Sequence, residues 1–328
     1  MRADATVAGE SPAILVTGGS GFIGGHLLAR LAQTGVPLVS LDRRTPREVI
    51  ENVRYIQADV RDLSSLDLPP LGRIFNFAAV HTTPGHPDHE YYDTNVTGAL
   101  EVVKVAEAHG VKEIVFTSSI SVYGPSEDRK DEASKPAPVS AYGKSKLMAE
   151  GVHDAWRKAG PDRRLVTVRP AVVFGRGEGG NFARMAALLR KGFFVFPGRR
   201  STIKSCIFVE DLLDLMLAAA ADKTQAAPLL NGAYPECPSL EQIVTTLQGD
   251  YFPKARLLDM PAAVVVAAAK GLQTFNGLGL GVHPDRVAKL MRSTYVYPQW
   301  AVDHGLLQDG AFKNGVKRWA AATQDTFV

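Results

Sequence analysis

The chain has 328 residues, 45% apolar and 22% charged, the composition of a folded protein built as one large or two smaller units. Lys+Arg 37 against Asp+Glu 34 leaves a formal charge of +3, too small and too scattered to call for a nucleic-acid partner. Two cysteines, Cys206 and Cys237, without C-x-x-C spacing, exclude a disulfide scaffold and suggest a reducing, cytoplasmic setting.

Residues 1–12 carry acids and no apolar stretch, so they read as a loose leader rather than a signal peptide. Short apolar runs at 13–17, 36–41, 53–58, 73–77, 113–117 and 164–169 read as strands. Helical spacing of apolar residues at 22–31, 91–109 and 141–159 places helices between them, which predicts βαβ units and a parallel sheet. After Pro170 the rhythm breaks into a glycine-rich loop at 174–181, helices at 182–190 and 209–220, and a strand-like 202–209. The most apolar window, 261–269, is too short to span a membrane and reads as a buried or interfacial helix. The expected fold is α/β: a Rossmann-type doubly wound parallel sheet over 13–170, and a smaller C-terminal α/β substrate lobe over 171–328. Segments near 202–220 are expected to pack back on the first unit. Ligands bind at the carboxyl ends of the strands in such sheets.

The turn Thr17-Gly-Gly-Ser-Gly-Phe-Ile-Gly24 lies between the first strand and the first helix. Gly18 and Gly21 permit a tight turn and a close backbone approach to a pyrophosphate, and Gly24 lets helix and strand touch. Asp42 ends the second strand, where a carboxylate binds ribose hydroxyls and repels a 2′-phosphate, favouring NAD over NADP. Arg43 and Arg44 offer guanidinium groups to that phosphate or are solvated charges. Asp59, after the third strand, is either an adenine neighbour or a helix cap.

Val115-Phe-Thr-Ser-Ser-Ile-Ser-Val-Tyr-Gly124 leads off the fifth strand into hydroxyls, and Tyr142-Gly-Lys-Ser-Lys146 opens the next long helix. An i, i+4 spacing sets Tyr142 and Lys146 on one face, where an ammonium lowers the phenol pKa from about 10 towards a useful acid–base value. Ser119 would hold the reacting oxygen against Tyr142. Tyr-x-x-x-Lys alone is a weak signal; its position after the serine cluster, in a dinucleotide-binding chain, gives it weight.

TGGSGFIG, FTSSISVYG and YGKSK together resemble the extended short-chain dehydrogenase/reductase superfamily, in its nucleotide-sugar epimerase/dehydratase branch, over most of 13–220. The resemblance implies a catalytic Ser119, Tyr142 and Lys146. It implies cofactor contacts from Gly18, Gly21, Phe22, Ile23, Gly24, Asp42, Asp59 and Val60, with Ala78, Ala79 and Asn95 lining the bound NAD, and with Tyr142 and Lys146 also at the cofactor, Lys146 on the nicotinamide ribose. Ser119-Ile120-Ser121 stands where the dehydratases carry Thr-Asp-Glu, so water elimination has no carboxylate to perform it. The implied reaction is epimerisation at C4 of a UDP-linked hexose through a 4-keto intermediate. Ketoreduction, a non-sugar alcohol dehydrogenase and a non-catalytic NAD sensor are the alternatives. Val172 replaces the sugar-contacting Asn of Arg-Pro-x-Asn, whereas Asn181-Phe182 resembles a later nucleotide contact. His81, Lys204 and Arg292 are further substrate-side candidates. A homodimer formed through 91–109 and 141–159 is expected from the same resemblance.

His81, His86 and His89 crowd one loop with Asp88 and Glu90, but Pro84, Gly85 and Pro87 break it and no zinc motif is present, so no metal is expected. Phe193 to Phe196 is an aromatic run suited to stacking on a base or, more simply, to an edge strand or core packing. Met291, Tyr295, Tyr297 and Trp300 read as packing of the small lobe.

Overall fold

The computed structural model describes residues 11–83, 85–264, 267 and 290–328. The leader up to residue 10, Pro84, and residues 265, 266, 268 and 269 of the apolar window lie outside the described residues. β1 (Ala13–Thr17), buried throughout, runs into the glycine turn and α1 (Phe22–Ala32). β2 (Leu38–Asp42), β3 (Val53–Gln57) and β4 (Leu71–Asn76) follow. The expected crossover helix is α2 (Asp88–Tyr92), a π-helical turn (Asp93–Thr97) and α3 (Gly98–Ala108) in succession. Next come β5 (Glu113–Thr117), a short β6 (Ser126–Lys130), α4 (Ala141–Lys158) and β7 (Arg164–Pro170). In α4, the Ser140 hydroxyl caps the first turn by accepting from the Gly143 N–H.

Beyond residue 170 lie β8 (Val172–Phe174), α5 (Asn181–Arg190), β9 (Phe193–Pro197), β10 (Cys206–Phe208), α6 (Val209–Ala221) and β11 (Leu229–Gly232). The chain continues through α7 (Leu240–Tyr251), β12 (Arg256–Met260), β13 (Thr294–Val296), α8 (Gln299–Asp303) and α9 (Ala311–Ala322). The main sheet has seven strands in the order β11-β7-β5-β4-β1-β2-β3, with every neighbouring pair parallel. Its winding reverses between β1 and β4, so their carboxyl ends flank a crevice. β11 lies past residue 170 yet completes this sheet, which the sequence pattern does not reveal. α6 packs on β7 and α1.

Alternation along the strands sorts the core into two layers. Leu15, Ile74, Ile114 and Phe116 meet Val102, Ala149 and Trp156 of α3 and α4 on one face. Ile14, Val16, Phe75 and Val115 meet Leu27, Leu212 and the C-terminal lobe on the other. Each such buried side chain contributes roughly 1.5–3 kcal/mol, which fixes the register and hence where the strand ends lie. The lobe is held by three two-stranded parallel pairs: β8 with β10, β9 with β12 and β6 with β13. The aromatic run is β9, in which Phe194 and Phe196 are buried and Phe193 faces out, as an edge-strand and packing role requires. Cys206 and Cys237 are buried free thiols. Among the described residues no helix is long and apolar enough to cross a membrane.

Candidate active site

The glycine turn is shaped by two close approaches. Gly18 has φ +74°, and a Cβ there would lie 2.7 Å from the Ala78 nitrogen. A Cβ on Gly24 would lie 2.3 Å from the Gly18 carbonyl oxygen. The Gly21 N–H is taken by the Gly18 carbonyl at 3.0 Å. α1 starts with no side-chain cap and no acid in its first turn, so the Phe22, Ile23 and Gly24 amides are left for an anion. Asp42 accepts from the Ser20 N–H at 3.2 Å and the Arg44 N–H at 3.0 Å, tying the end of β2 to this turn. Glycine cradle, uncapped amides and adjacent carboxylate together fit a dinucleotide: the amides would take its pyrophosphate, and Asp42 its ribose hydroxyls.

The second rank of expected cofactor contacts fits less simply. Asp59 receives a two-pronged bond from Arg61 at 3.0 and 2.7 Å and sits 3.5 Å from Arg43, so its carboxylate is already engaged. Its pKa is lowered, first by the Arg61 hydrogen bond. The Val60 side chain is buried against Gly98, leaving only its backbone for a ligand. Asn95, from the π-helical turn, accepts the Val80 N–H at 2.9 Å and donates to the Val80 carbonyl at 3.1 Å and to Ser145 Oγ at 2.9 Å. Both of its N–H groups are therefore spent on the chain. Asn95 thereby shapes the loop that follows the half-buried Ala78 and Ala79.

Ser119 follows β5, is 8% exposed, and accepts the Ser121 N–H at 3.1 Å. Its hydroxyl is near enough to Tyr142 to favour the phenolate. Lys146, one turn further along α4, is 2% exposed, with its ammonium 4.3 Å from the centroid of the Phe116 ring. The three expected catalytic side chains thus gather at the carboxyl end of β5, beside the glycine turn. The electrostatics differ from expectation. Tyr142 keeps part of its surface open to the crevice, but desolvation of its crowded hydroxyl holds its pKa above the ordinary phenol value. The Ser119 hydroxyl opposes this, and Lys146 is not among the groups that lower it. The ammonium is itself desolvated and brought down to about 7. In the cofactor-free protein Tyr142 is therefore a neutral phenol. His81, on the loop after β4, is exposed, and its pKa is lowered, with local desolvation as the largest cause and the charges of Arg44 and Lys146 adding to it.

On the lobe side, Asn181 begins α5 and is exposed, but Phe182 is 1% exposed and stacked on Phe174 with centroids 4.5 Å apart. The helical period turns Phe182 inward with Met185, Ala186 and Leu189, so its side chain belongs to the core and not to a substrate. Lys204 donates to the carbonyl of Arg292, whose side chain is exposed. Burial brings Lys204 to about 8, with Glu127 opposing and Arg199 reinforcing. Val172 is half-buried in β8. Among the described residues no group of three or more His, Cys, Asp or Glu could hold a metal ion.

Two devices escape sequence reading. His26 Nδ1 lies 2.6 Å from Glu210 and Nε2 2.9 Å from the Arg176 carbonyl, while Arg47 donates to the Gly177 carbonyl at 2.8 Å. Together they tie the loop before Asn181 to the first unit. Arg169 clamps Glu150 at 2.8 and 2.6 Å and donates to the Tyr123 hydroxyl at 2.8 Å, which donates to Asn231 Oδ1 at 3.0 Å. The one visible hint was a pair of charged residues placed among apolar neighbours, Glu150 on α4 and Arg169 at the end of β7.

The sequence profile of a family described as the NAD dependent epimerase/dehydratase family matches residues 14–230. The chain is 34% identical over 206 residues to the N-acetyl-alpha-D-glucosaminyl-diphospho-ditrans,octacis-undecaprenol 4-epimerase of Escherichia coli O157:H7, covering 62% of this chain and 61% of that one. It is 33% identical over 186 residues to the UDP-glucose 4-epimerase of Erwinia amylovora, covering 51% of this chain and 55% of that one. The chain thus spans about half to three-fifths of these relatives. Among solved structures, the UDP-glucose 4-epimerase of Thermotoga maritima superposes with a TM-score of 0.76 at 20% identity, over 96% of this chain and all of that one, a likeness of fold.

Proposed function

Because the chain belongs to the NAD dependent epimerase/dehydratase family, we propose that it is a 4-epimerase of a diphosphate-linked hexose, with a UDP-hexose as substrate. The observation that carries this reading is the meeting of Ser119, Tyr142 and Lys146 beside a glycine turn built for a dinucleotide, with no carboxylate at Ile120 or Ser121. Gly18, Gly21, Phe22, Ile23, Gly24 and Asp42 would hold NAD. Bound NAD supplies a hydride acceptor and donor and, when oxidised, a positive charge. Tyr142 removes the proton of the C4 hydroxyl and returns it after the 4-keto sugar has turned in the pocket. Ser119 steers the oxygen, and Lys146 would hold the nicotinamide ribose. His81, Asn181, Lys204 and Arg292 are the substrate-side candidates.

The test is to incubate the purified protein with UDP-galactose and no added NAD. Formation of UDP-glucose supports the proposal, whereas turnover only with stoichiometric NAD(P)+, giving a keto sugar and NAD(P)H, points to a ketoreductase running in reverse. A second reading is a sugar joined through diphosphate to a polyprenol. It is favoured by the 34% identity to the Escherichia coli enzyme, which is named for such a substrate, and by Val172 in place of the sugar-contacting Asn. Turnover of the polyprenyl diphosphate sugar with no turnover of any UDP-hexose would select it.

The dimer expected from the family resemblance has a candidate face. Val96, Leu100, Val103, Met148 and Val152 line an apolar groove of about 590 Å³ between α3 and α4, where Leu100 and Met148 are 45% and 52% exposed. A monomeric mass by light scattering would refute this part of the proposal.

A further inference from the structure

We propose that Glu150, clamped by Arg169, is the positioning residue whose charge opposes the loss of the Lys146 proton while leaving the N–H groups of Lys146 free for a ligand. This rests on the reading of Lys146 as part of the acid–base site. Tyr142, Lys146 and Glu150 follow one another in steps of four on α4, so they share one face of the helix. An ammonium that is 2% exposed needs compensation, and the face of the Phe116 ring at 4.3 Å supplies only part of it.

The other groups around Lys146 supply no negative charge. His81 lies on the loop after β4 and His153 on α4, and the charge of Lys146 adds to the lowering of the pKa of each, so neither supplies a negative charge. Tyr142 is a neutral phenol. The Ser119 hydroxyl is uncharged and accepts from the Ser121 N–H, and Phe116 is apolar. Glu150 is the carboxylate that acts in favour of the charged ammonium.

The clamp explains why this carboxylate does not simply capture the lysine. Both Glu150 oxygens are bonded by Arg169, at 2.8 and 2.6 Å, and Arg169 is 4% exposed and braced on the Tyr123 hydroxyl at 2.8 Å. Lys146 and Glu150 form no direct ion pair, so the carboxylate acts through its field. The same brace reaches Asn231 at the end of β11 and, through Asn231 Nδ2, the Tyr297 carbonyl at 3.0 Å. The charge state of Lys146 is thereby built into the joint between sheet and lobe.

The test is the NMR titration of Lys146 in the full-length, cofactor-free protein labelled with ¹³C-lysine, its signal assigned by its loss in K146R. In E150Q the midpoint is expected to fall by about one pH unit, because the supporting charge is gone. In R169Q it is expected to rise by a similar amount, because the carboxylate is no longer neutralised. E150D, which keeps the charge, should titrate like the wild type, and it reads the proposal if E150Q proves unstable. Shifts of the same sign in E150Q and R169Q, or no shift in either, would overturn the proposal, as would an E150D midpoint moved as far as that of E150Q. No substrate enters the measurement, so failure of the epimerase reading would leave this result standing, and the reverse also holds.

Discussion

Lys146 and Phe116 meet at the carboxyl end of β5, with the ammonium 4.3 Å from the ring centroid and almost no exposure to water. Burial brings this lysine from 10.5 to about 7. Between those values the unfolded chain carries a proton that the folded chain has released, so the stability tied to Lys146 rises with pH. Lys146→Met lacks this dependence. Urea denaturation at pH 7 to 10 should show the difference between wild type and variant changing in favour of the wild type by up to about 1.4 kcal/mol per pH unit. Parallel pH profiles would refute the burial of a titrating ammonium.

Gly24→Ala forces a Cβ to within 2.3 Å of a backbone oxygen that cannot swing away. A destabilisation of roughly 1–3 kcal/mol is expected from such overpacking, along with a loss of at least about tenfold in NAD affinity, because the turn that would hold the pyrophosphate must shift. Thermal unfolding and fluorescence titration with NAD check the two parts. Unchanged NAD binding would contradict the assigned cradle.

Asp42 sits where a ribose carrying a 2′-phosphate would meet a carboxylate, and Arg43 and Arg44 are each held beside an acid, Asp59 and Asp42, at 3.5 Å. Asp42→Ser removes the repulsion and releases Arg44. The ratio of NADP to NAD affinity should rise by about tenfold or more. Calorimetric titration with both dinucleotides reads it, and an unchanged ratio would place cofactor discrimination elsewhere.

His26 faces two acceptors, Glu210 at 2.6 Å and the Arg176 carbonyl at 2.9 Å, so both contacts are satisfied only when both ring nitrogens carry protons. Burial pushes its pKa down, but the Glu210 bond and the other contacts outweigh it, and the net shift is upward. The contribution of His26 to stability is therefore complete below its unfolded value of 6.5 and is lost as pH rises through the folded value. The wild type should exceed His26→Gln in melting temperature at pH 6, and the gap should narrow by pH 9. A constant gap would mean that the ring is held neutral.

The strands of the main sheet were legible up to β7 because each is a short apolar run closed by a turn residue, and the glycine turn and Tyr142/Lys146 spacing are local patterns. β11 was not legible: Leu229–Gly232 is four residues long, and only its pairing with β7 makes it a strand. The break in the 91–109 helix was hidden for a related reason. A π-helical turn leaves the apolar period nearly intact, and its effect, aiming Asn95 at Val80, depends on a loop 15 residues away. The pair Asn181-Phe182 does not show which way its ring turns: Asn181 faces water while the helix rolls Phe182 inward. The Glu150–Arg169 clamp and the His26–Glu210 link join residues 19 and 184 positions apart, a kind of partnership that no local spacing encodes.

The most direct test of the account is the turnover of Tyr142→Phe against wild type on the diphosphate-linked hexose that the wild type converts, after both are shown to bind NAD equally. Loss of the positioned acid–base hydroxyl predicts a fall in kcat of about 10²–10⁴ with fold and cofactor binding intact. A variant that interconverts the sugars within a few-fold of the wild-type rate would contradict the role given to Tyr142, and with it the proposed mechanism.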